Sequence, residues 1–63
     1  MEIKFTVKPM QRTKKYFMYY ESDKPIKEAE EKLRQVAINR HYGHMKIIIK
    51  NVKKVHGSDT IIL

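Results

Sequence analysis

The feature that most restricts the fold is the segment 14–20, two lysines followed by Tyr-Phe-Met-Tyr-Tyr. It has the composition of a β-strand, and successive side chains of a strand point to opposite faces of a sheet. The large side chains then fall into two sets, Tyr16, Met18 and Tyr20 on one face and Phe17 and Tyr19 on the other. The chain has room for one helix, which covers one face of a small sheet. At least two aromatic side chains therefore lie on an uncovered face.

A second strand precedes this one. Residues 2–8 alternate, with Ile3, Phe5 and Val7 on one face and polar side chains on the other, which is the pattern of a half-buried strand. Pro9 is predicted to end it, because proline has no N–H for a strand ladder. Residues 9–13 then form a basic loop, and residues 14–21 return as the second arm of an antiparallel hairpin.

One amphipathic helix follows the hairpin. Ser22 or Asp23 supplies a capping oxygen, and Pro25 lies in the first turn, where its missing N–H does no harm. Apolar residues recur at helical spacing and form one stripe, namely Ile26, Ala29, Leu33, Val36 and Ala37. The helix is predicted to end near His41, with Gly43 in a left-handed conformation beyond it.

Residues 45–55 form a third strand that is partly apolar on both faces, as is typical of a central strand. A change in its apolar phase at Asn51 indicates a bulge. Residues 60–63 form either a short fourth strand or an apolar tail. The sequence therefore predicts a single small α+β domain over residues 1–63. Its order is β-β-α-β with a possible C-terminal strand, and an antiparallel or mixed sheet of three to four strands is backed by one helix.

The positive charge is unevenly distributed. The formal net charge is +7 on 63 residues, and residues 21–40 carry five basic and five acidic side chains, so the excess lies outside the helical region. Basic side chains of this kind suit phosphate contacts, and lysine outnumbers arginine, which favours backbone contacts over base reading. The residues predicted to contact nucleic acid are Arg12, Lys14, Lys15, Arg40, His41, Lys50, Lys53 and Lys54, with Lys8 at the edge of the basic loop.

The uncovered aromatic pair, Tyr16 with Tyr20 or Phe17 with Tyr19, has two interpretations. Aromatic rings beside lysines suit stacked bases with phosphates alongside. The same rings also suit burial against protein, beneath the C-terminal tail, in a homodimer or against a partner. Strand parity decides which pair is available, and the alternation leaves it open.

Other kinds of chemistry have little support in the sequence. There is no cysteine, no Gly-rich phosphate loop and no Ser/His/Asp order, so no catalytic residue and no cofactor are expected. His41, His44 and His56 lack a matching carboxylate or cysteine, and no metal site is predicted. No apolar run is long enough to span a bilayer, and the expected location is the cytoplasm.

Several residues resemble a known family. They are Asn39-Arg40-His41 at the predicted helix end, the pattern Ile47-x-Ile49-x-x-Val52-x-x-Val55, Ala29 and the pair Tyr16-Phe17. Together they are similar to the archaeal large-subunit ribosomal protein LX family. The similarity covers roughly residues 15–55, and Lys8-Pro9-Met10 departs from the family's glycine-containing turn. The resemblance implies binding to ribosomal RNA through a preformed basic surface, with Arg40 and His41 as contacts.

The sequence thus predicts an RNA-binding protein, a ribosomal or ribonucleoprotein component, with RNA favoured over DNA. One alternative is a small DNA-binding or DNA-coating protein of viral or chromatin type. A second is a protein-interaction module that uses the uncovered aromatic face or a strand edge.

Overall fold

The computed structural model describes all 63 residues and contains one helix and one four-stranded sheet. A single turn of 3-10 helix, Gln11–Thr13, joins the first two strands. The elements are β1 (Glu2–Met10), β2 (Lys15–Glu21), α1 (Lys27–Asn39), β3 (Lys46–Val52) and β4 (Asp59–Ile62). The α+β class is confirmed, the sheet is mixed, and the C-terminal residues form a strand.

The strands lie in the order β3-β2-β1-β4. β1 is antiparallel to both β2 and β4, whereas β2 and β3 are parallel and are connected through α1, as parallel neighbours require a crossover. The prediction of β3 as a central strand is wrong, because β4 pairs with β1 at the opposite edge. The predicted bulge is also absent, since Asn51 and Val52 pair in register with Tyr20 and Glu21.

Pro9 does not end β1. The strand continues to Met10, and Pro9 lies opposite Tyr16 in the hairpin. β4 pairs only with residues 2–5 of β1, so β1 is an edge strand at Pro9. A proline is tolerated at such an edge because its missing N–H removes no ladder bond on the unpaired side.

The core lies between α1 and one face of the sheet. Ala29, Leu33 and Ala37 of the helix are fully buried, and so are Met18 and Tyr20 of β2. The other buried side chains are Ile3, Phe5, Tyr16 and Met45. Burial of one large apolar side chain contributes about 1.5–3 kcal/mol to stability. Because the core has only nine buried residues, the loss of a single large side chain removes a substantial part of that stabilisation.

The start of α1 differs from the prediction. The N-cap residue is Ile26 and no side chain caps the helix, because Ser22 Oγ instead bonds within its own turn to Lys24. The Ile26 N–H donates to the hydroxyl oxygen of Tyr20 at 2.9 Å, and that hydroxyl donates to Glu30 Oε1 at 3.2 Å. A core tyrosine thus anchors the N-cap residue itself, while the first turn of α1 has no side-chain cap.

The end of α1 also differs. The helix ends at Asn39, and His41, not Gly43, has the left-handed conformation, with φ 67°. The N–H of Tyr42 donates to Ala37 O and the N–H of His41 donates to Ile38 O, which is the hydrogen-bond pattern of a Schellman motif. The motif requires its left-handed residue two positions before Gly43, so glycine is not where the turn needs it.

Candidate functional site

The sheet face away from α1, here called the open face, carries Phe17 and Tyr19 on the inner strand β2. The alternative pair, Tyr16 and Tyr20, is buried beneath the helix and is excluded as a contact surface. The rings of Phe17 and Tyr19 are nearly parallel, with 9° between their planes and 6.4 Å between their centroids. Both side chains are half-buried, so they present ring surface from a rigid strand.

Lysine side chains surround these two rings. In the sheet register Lys8 lies opposite Phe17, and Lys50 lies beside Tyr19. Lys15 and Lys46 pair at the end of the sheet nearest the hairpin tip. The Lys8 Nζ is 6.0 Å from the Tyr19 ring centroid, at the outer limit of a cation–π contact, so it does not cover that ring.

Residues 53–58, here called the crossing segment, lead from β3 at one edge to β4 at the other over the open face. The N–H of Val55 donates to Glu21 Oε2 across a long 3.4 Å. Gly57 packs so closely on the backbone of β1 that a Cβ on this residue would lie 2.0 Å from Phe5 O. The segment covers the end of the open face near Glu21 and leaves the end near Phe17 uncovered.

A shallow cavity of about 290 Å³ lies between Tyr19 and the crossing segment. Its residues come from β1, β2 and the segment, and they are Thr6, Lys8, Tyr19, Val52, Lys54, Val55 and His56. The volume is close to the lower end of the range for small-ligand pockets. The cavity combines one aromatic ring with two lysines.

A second concave region, here called the terminal cleft, lies where the hairpin tip meets the end of α1. It has a volume of about 430 Å³ and is lined by Gln11, Lys14, Arg40, His41, Tyr42, His44 and Met45. None of these residues is acidic. The cleft therefore presents hydrogen-bond donors and positive charge.

Two lining residues of the terminal cleft have an unusual backbone. Lys14 has φ 52° and His41 has φ 67°, and no other non-glycine residue has a positive φ. The left-handed region costs a residue with a Cβ about 1–2 kcal/mol. The chain therefore holds a lysine and a histidine at this cleft in conformations that glycine adopts at lower cost.

Neighbouring contacts fix the wall of the cleft. One Arg40 guanidinium nitrogen lies 3.4 Å from Asp59 Oδ2, an exposed pair. The Tyr42 ring packs on Tyr16 with centroids 4.4 Å apart. The Tyr16 hydroxyl is buried without a hydrogen-bond partner, and an orphan of that kind costs about 1–3 kcal/mol.

The structure divides the predicted nucleic-acid contacts into separate groups. Lys15 and Lys50 lie on the open face, and Lys54 lines the cavity beside Tyr19. Lys14, Arg40 and His41 meet in the terminal cleft, whereas Arg12 and Lys53 are exposed and line neither cavity. No single surface carries all eight residues.

The predicted contacts did not include Lys46, Gln11 or His44. Lys46 joins the open face because β3 pairs with β2 in a parallel register. Gln11 and His44 join the terminal cleft because the hairpin tip meets the α1–β3 loop. Sequence spacing carries no signal for either encounter, since the residues lie far apart along the chain.

The three histidines do not converge. His41 and His44 line the terminal cleft, while His56 lies on the open-face side. No group of three His, Cys, Asp or Glu side chains is placed to hold a metal ion. The single helix is too short and too polar to cross a membrane.

Comparison with protein-family models, with curated proteins and with solved structures finds no match to this chain. The resemblance to the ribosomal protein LX family therefore stays a prediction.

Proposed function

We propose that this protein binds single-stranded RNA on the open face of its sheet. The observation that carries the proposal is the position of Phe17 and Tyr19. These two parallel rings lie on an inner strand, on the face that α1 does not cover. Exposed aromatic rings on a sheet are the usual platform for unstacked bases.

The distribution of charge supports the same surface. α1 carries three basic and three acidic side chains within Lys27–Asn39 and is neutral as a whole. The open face presents Lys8, Lys15, Lys46 and Lys50 around the rings. A polyanion is therefore attracted to the open face, whereas the neutral surface of α1 offers it no net electrostatic attraction.

The arrangement favours a single strand over a duplex. A base stacked on Phe17 or Tyr19 must be free of its neighbours, and duplex bases are not. The cavity beside Tyr19 would take the edge of such a base, with Lys8 and Lys54 near its phosphates. Lysine gives point contacts to the backbone rather than base reading, so we expect weak sequence preference.

Ribosomal RNA is the first RNA to test, because of the resemblance to the LX family. A partner protein would use the same aromatic rings but would have no need of the surrounding lysines. Duplex DNA would use the lysines but would leave the rings unused. Binding to RNA, to a partner protein and to duplex DNA therefore depends on different side chains of the open face.

The test is a fluorescence anisotropy titration with single-stranded RNA, single-stranded DNA of the same sequence and duplex DNA, each between about 50 and 200 mM salt. We expect the tightest binding to RNA, with an affinity that falls steeply as salt rises. Duplex DNA bound as tightly as RNA would support the DNA-binding alternative. Absence of binding to any nucleic acid would reject the proposal and favour a protein partner.

Two substitutions locate the contact. Tyr19→Ala should weaken RNA binding by about 1–3 kcal/mol, the contribution of one stacked base. Lys50→Ala should reduce the slope of log affinity against log salt by about 0.7, the value for one phosphate contact on a single strand. Lys27→Ala on the exposed side of α1 is the matched control and should change neither quantity. An equal effect of Lys27→Ala would show that the charge acts without a defined site.

A further inference from the structure

We propose that the terminal cleft is a phosphate-binding site whose wall of hydrogen-bond donors is formed by Lys14, Arg40 and His41. The cleft lies outside the open face, and the RNA contact proposed above does not use it. Its lining has no carboxylate, and it combines lysine, arginine, two histidines and the Gln11 amide in a concave volume of about 430 Å³. A set of donors without an acidic acceptor suits an anion, and phosphate oxygens accept several hydrogen bonds at once.

The backbone conformation of the cleft independently supports a functional site there. Lys14 and His41 are the two non-glycine residues with positive φ, and both line this cleft. They come from different turns, one at the hairpin tip and one at the end of α1. Glycine would satisfy both turns with less strain. Backbone strain concentrates at functional sites, and here it places two nitrogen-bearing side chains on one concave surface.

Arg40 links the end of α1 to β4 at the edge of the cleft. Its backbone N–H donates to Val36 O at the end of α1, and one guanidinium nitrogen pairs with Asp59. The ion pair uses one nitrogen of the guanidinium, whose planar fork can hold a second oxyanion. The exposed pair with Asp59 does not involve Lys14, His41 or His44, the other nitrogen-bearing side chains of the cleft beside the Gln11 amide.

The source of the phosphate follows from the position of the cleft. Lys46 N–H donates to Lys14 O at 2.8 Å, so the cleft adjoins the end of the open face where Lys15 and Lys46 pair. An RNA strand on the open face would bring either a terminal phosphate or an internal phosphodiester to this end. That assignment to RNA rests on the proposed function, whereas the phosphate chemistry of the cleft does not.

The first experiment titrates the ¹⁵N-labelled protein with inorganic phosphate, and with chloride at equal ionic strength as the reference. We expect saturable shifts of the Lys14, His41 and His44 amides with phosphate alone, and no shift at Lys50. Shifts that spread over all lysines, or that do not saturate, would overturn the site.

The second experiment uses His41→Gly. The substitution removes the imidazole and relieves the left-handed strain, so we expect a higher melting temperature together with an affinity for inorganic phosphate lowered about tenfold, as for loss of one charge-assisted hydrogen bond. Lys14→Gly should behave in the same way, and His56→Ala, outside the cleft, should leave phosphate affinity unchanged. A more stable His41→Gly protein with unaltered phosphate affinity would show that His41 serves the turn alone, and the proposal would be wrong.

A third experiment distinguishes the sources, with one RNA oligonucleotide carrying either a 5′-phosphate or a 5′-hydroxyl. If the cleft takes a terminal phosphate, the parent protein prefers the phosphorylated RNA and His41→Gly abolishes the preference. If it takes an internal phosphate, His41→Gly weakens both RNAs equally. RNA binding that His41→Gly leaves unchanged rejects RNA as the source. Phosphate binding in the cleft of a protein that binds no RNA would retain this inference and reject the proposed function.

Discussion

The two faces of the sheet carry similar side chains and differ in what covers them. β2 gives Tyr16, Met18 and Tyr20 to the face beneath α1, where all three are buried, and Phe17 and Tyr19 to the open face, where both are half-buried. Aromatic content therefore does not distinguish a core face from a contact face. The neutral helix on one side and the lysines on the other make that distinction.

The difference also separates stability from binding. The covered face is dry and close-packed, so a change of one group there alters the free energy of unfolding. The open face is restrained only by the crossing segment, so most changes there should alter affinity for a partner.

Leu33→Ala should destabilise the protein by about 2–5 kcal/mol, because it empties a fully buried position between α1 and the sheet. A domain of this size is marginally stable, so the variant can also be unfolded without denaturant, which would be seen as loss of helical circular dichroism. Ile38→Ala on the same helix is the control. Ile38 is 44% exposed, and its truncation should stay within about 0.5 kcal/mol. Equal costs in urea denaturation would mean that α1 does not seal the covered face.

Gly57→Ala should cost about 1–3 kcal/mol or displace the crossing segment, because no Cβ fits 2.0 Å from Phe5 O. Gly43→Ala is the matched control, since a Cβ there would lie 3.9 Å from Ile38 Cγ1. Thermal denaturation measures the cost, and amide exchange over residues 53–58 measures the displacement. Similar behaviour of the two variants would show that the segment does not rest on β1.

Tyr20→Phe and Tyr16→Phe should have different effects on stability, although both residues lie on the covered face. The Tyr20 hydroxyl bonds both Ile26 N–H and Glu30, and its removal should cost about 1–3 kcal/mol. The Tyr16 hydroxyl has no partner, so Tyr16→Phe should be neutral or stabilising. Two equally destabilised variants in urea denaturation would argue that Tyr16 has a hydrogen bond in solution.

The smallest effect concerns alkaline pH. Burial raises the pKa of Tyr20 above its ordinary value of 10.0, and the nearby Glu30 carboxylate adds to the increase. The protonated hydroxyl therefore contributes stability that is complete below about pH 10 and is lost as pH rises through the raised pKa. The parent should lose more stability than Tyr20→Phe above pH 10, measured by urea denaturation at each pH. Parallel curves for the two proteins would reject this linkage.

Local pattern predicted the helix, the hairpin and the α+β class, because period and composition are properties of neighbouring residues. It failed where a distant segment took part. Pro9 stays in β1 because β4 pairs only with residues 2–5. The start of α1 is held by Tyr20, whose hydroxyl accepts the N–H of Ile26 from six positions earlier in the chain. β3 was expected at the centre of the sheet because it has apolar side chains on both faces. That pattern shows that both faces are partly covered, but it does not show which strands lie beside β3.

Strand alternation alone places two aromatic rings on each side of β2, because it is a property of the strand backbone. The distribution of charged residues along the chain likewise places the excess positive charge outside the helix. The choice of Phe17 and Tyr19 as the available pair is made in the folded protein, because α1 packs on the other face and buries Tyr16 and Tyr20. The terminal cleft is likewise a product of tertiary structure, because residues 27 positions apart, Lys14 and His41, meet only when the hairpin tip packs beside the end of α1.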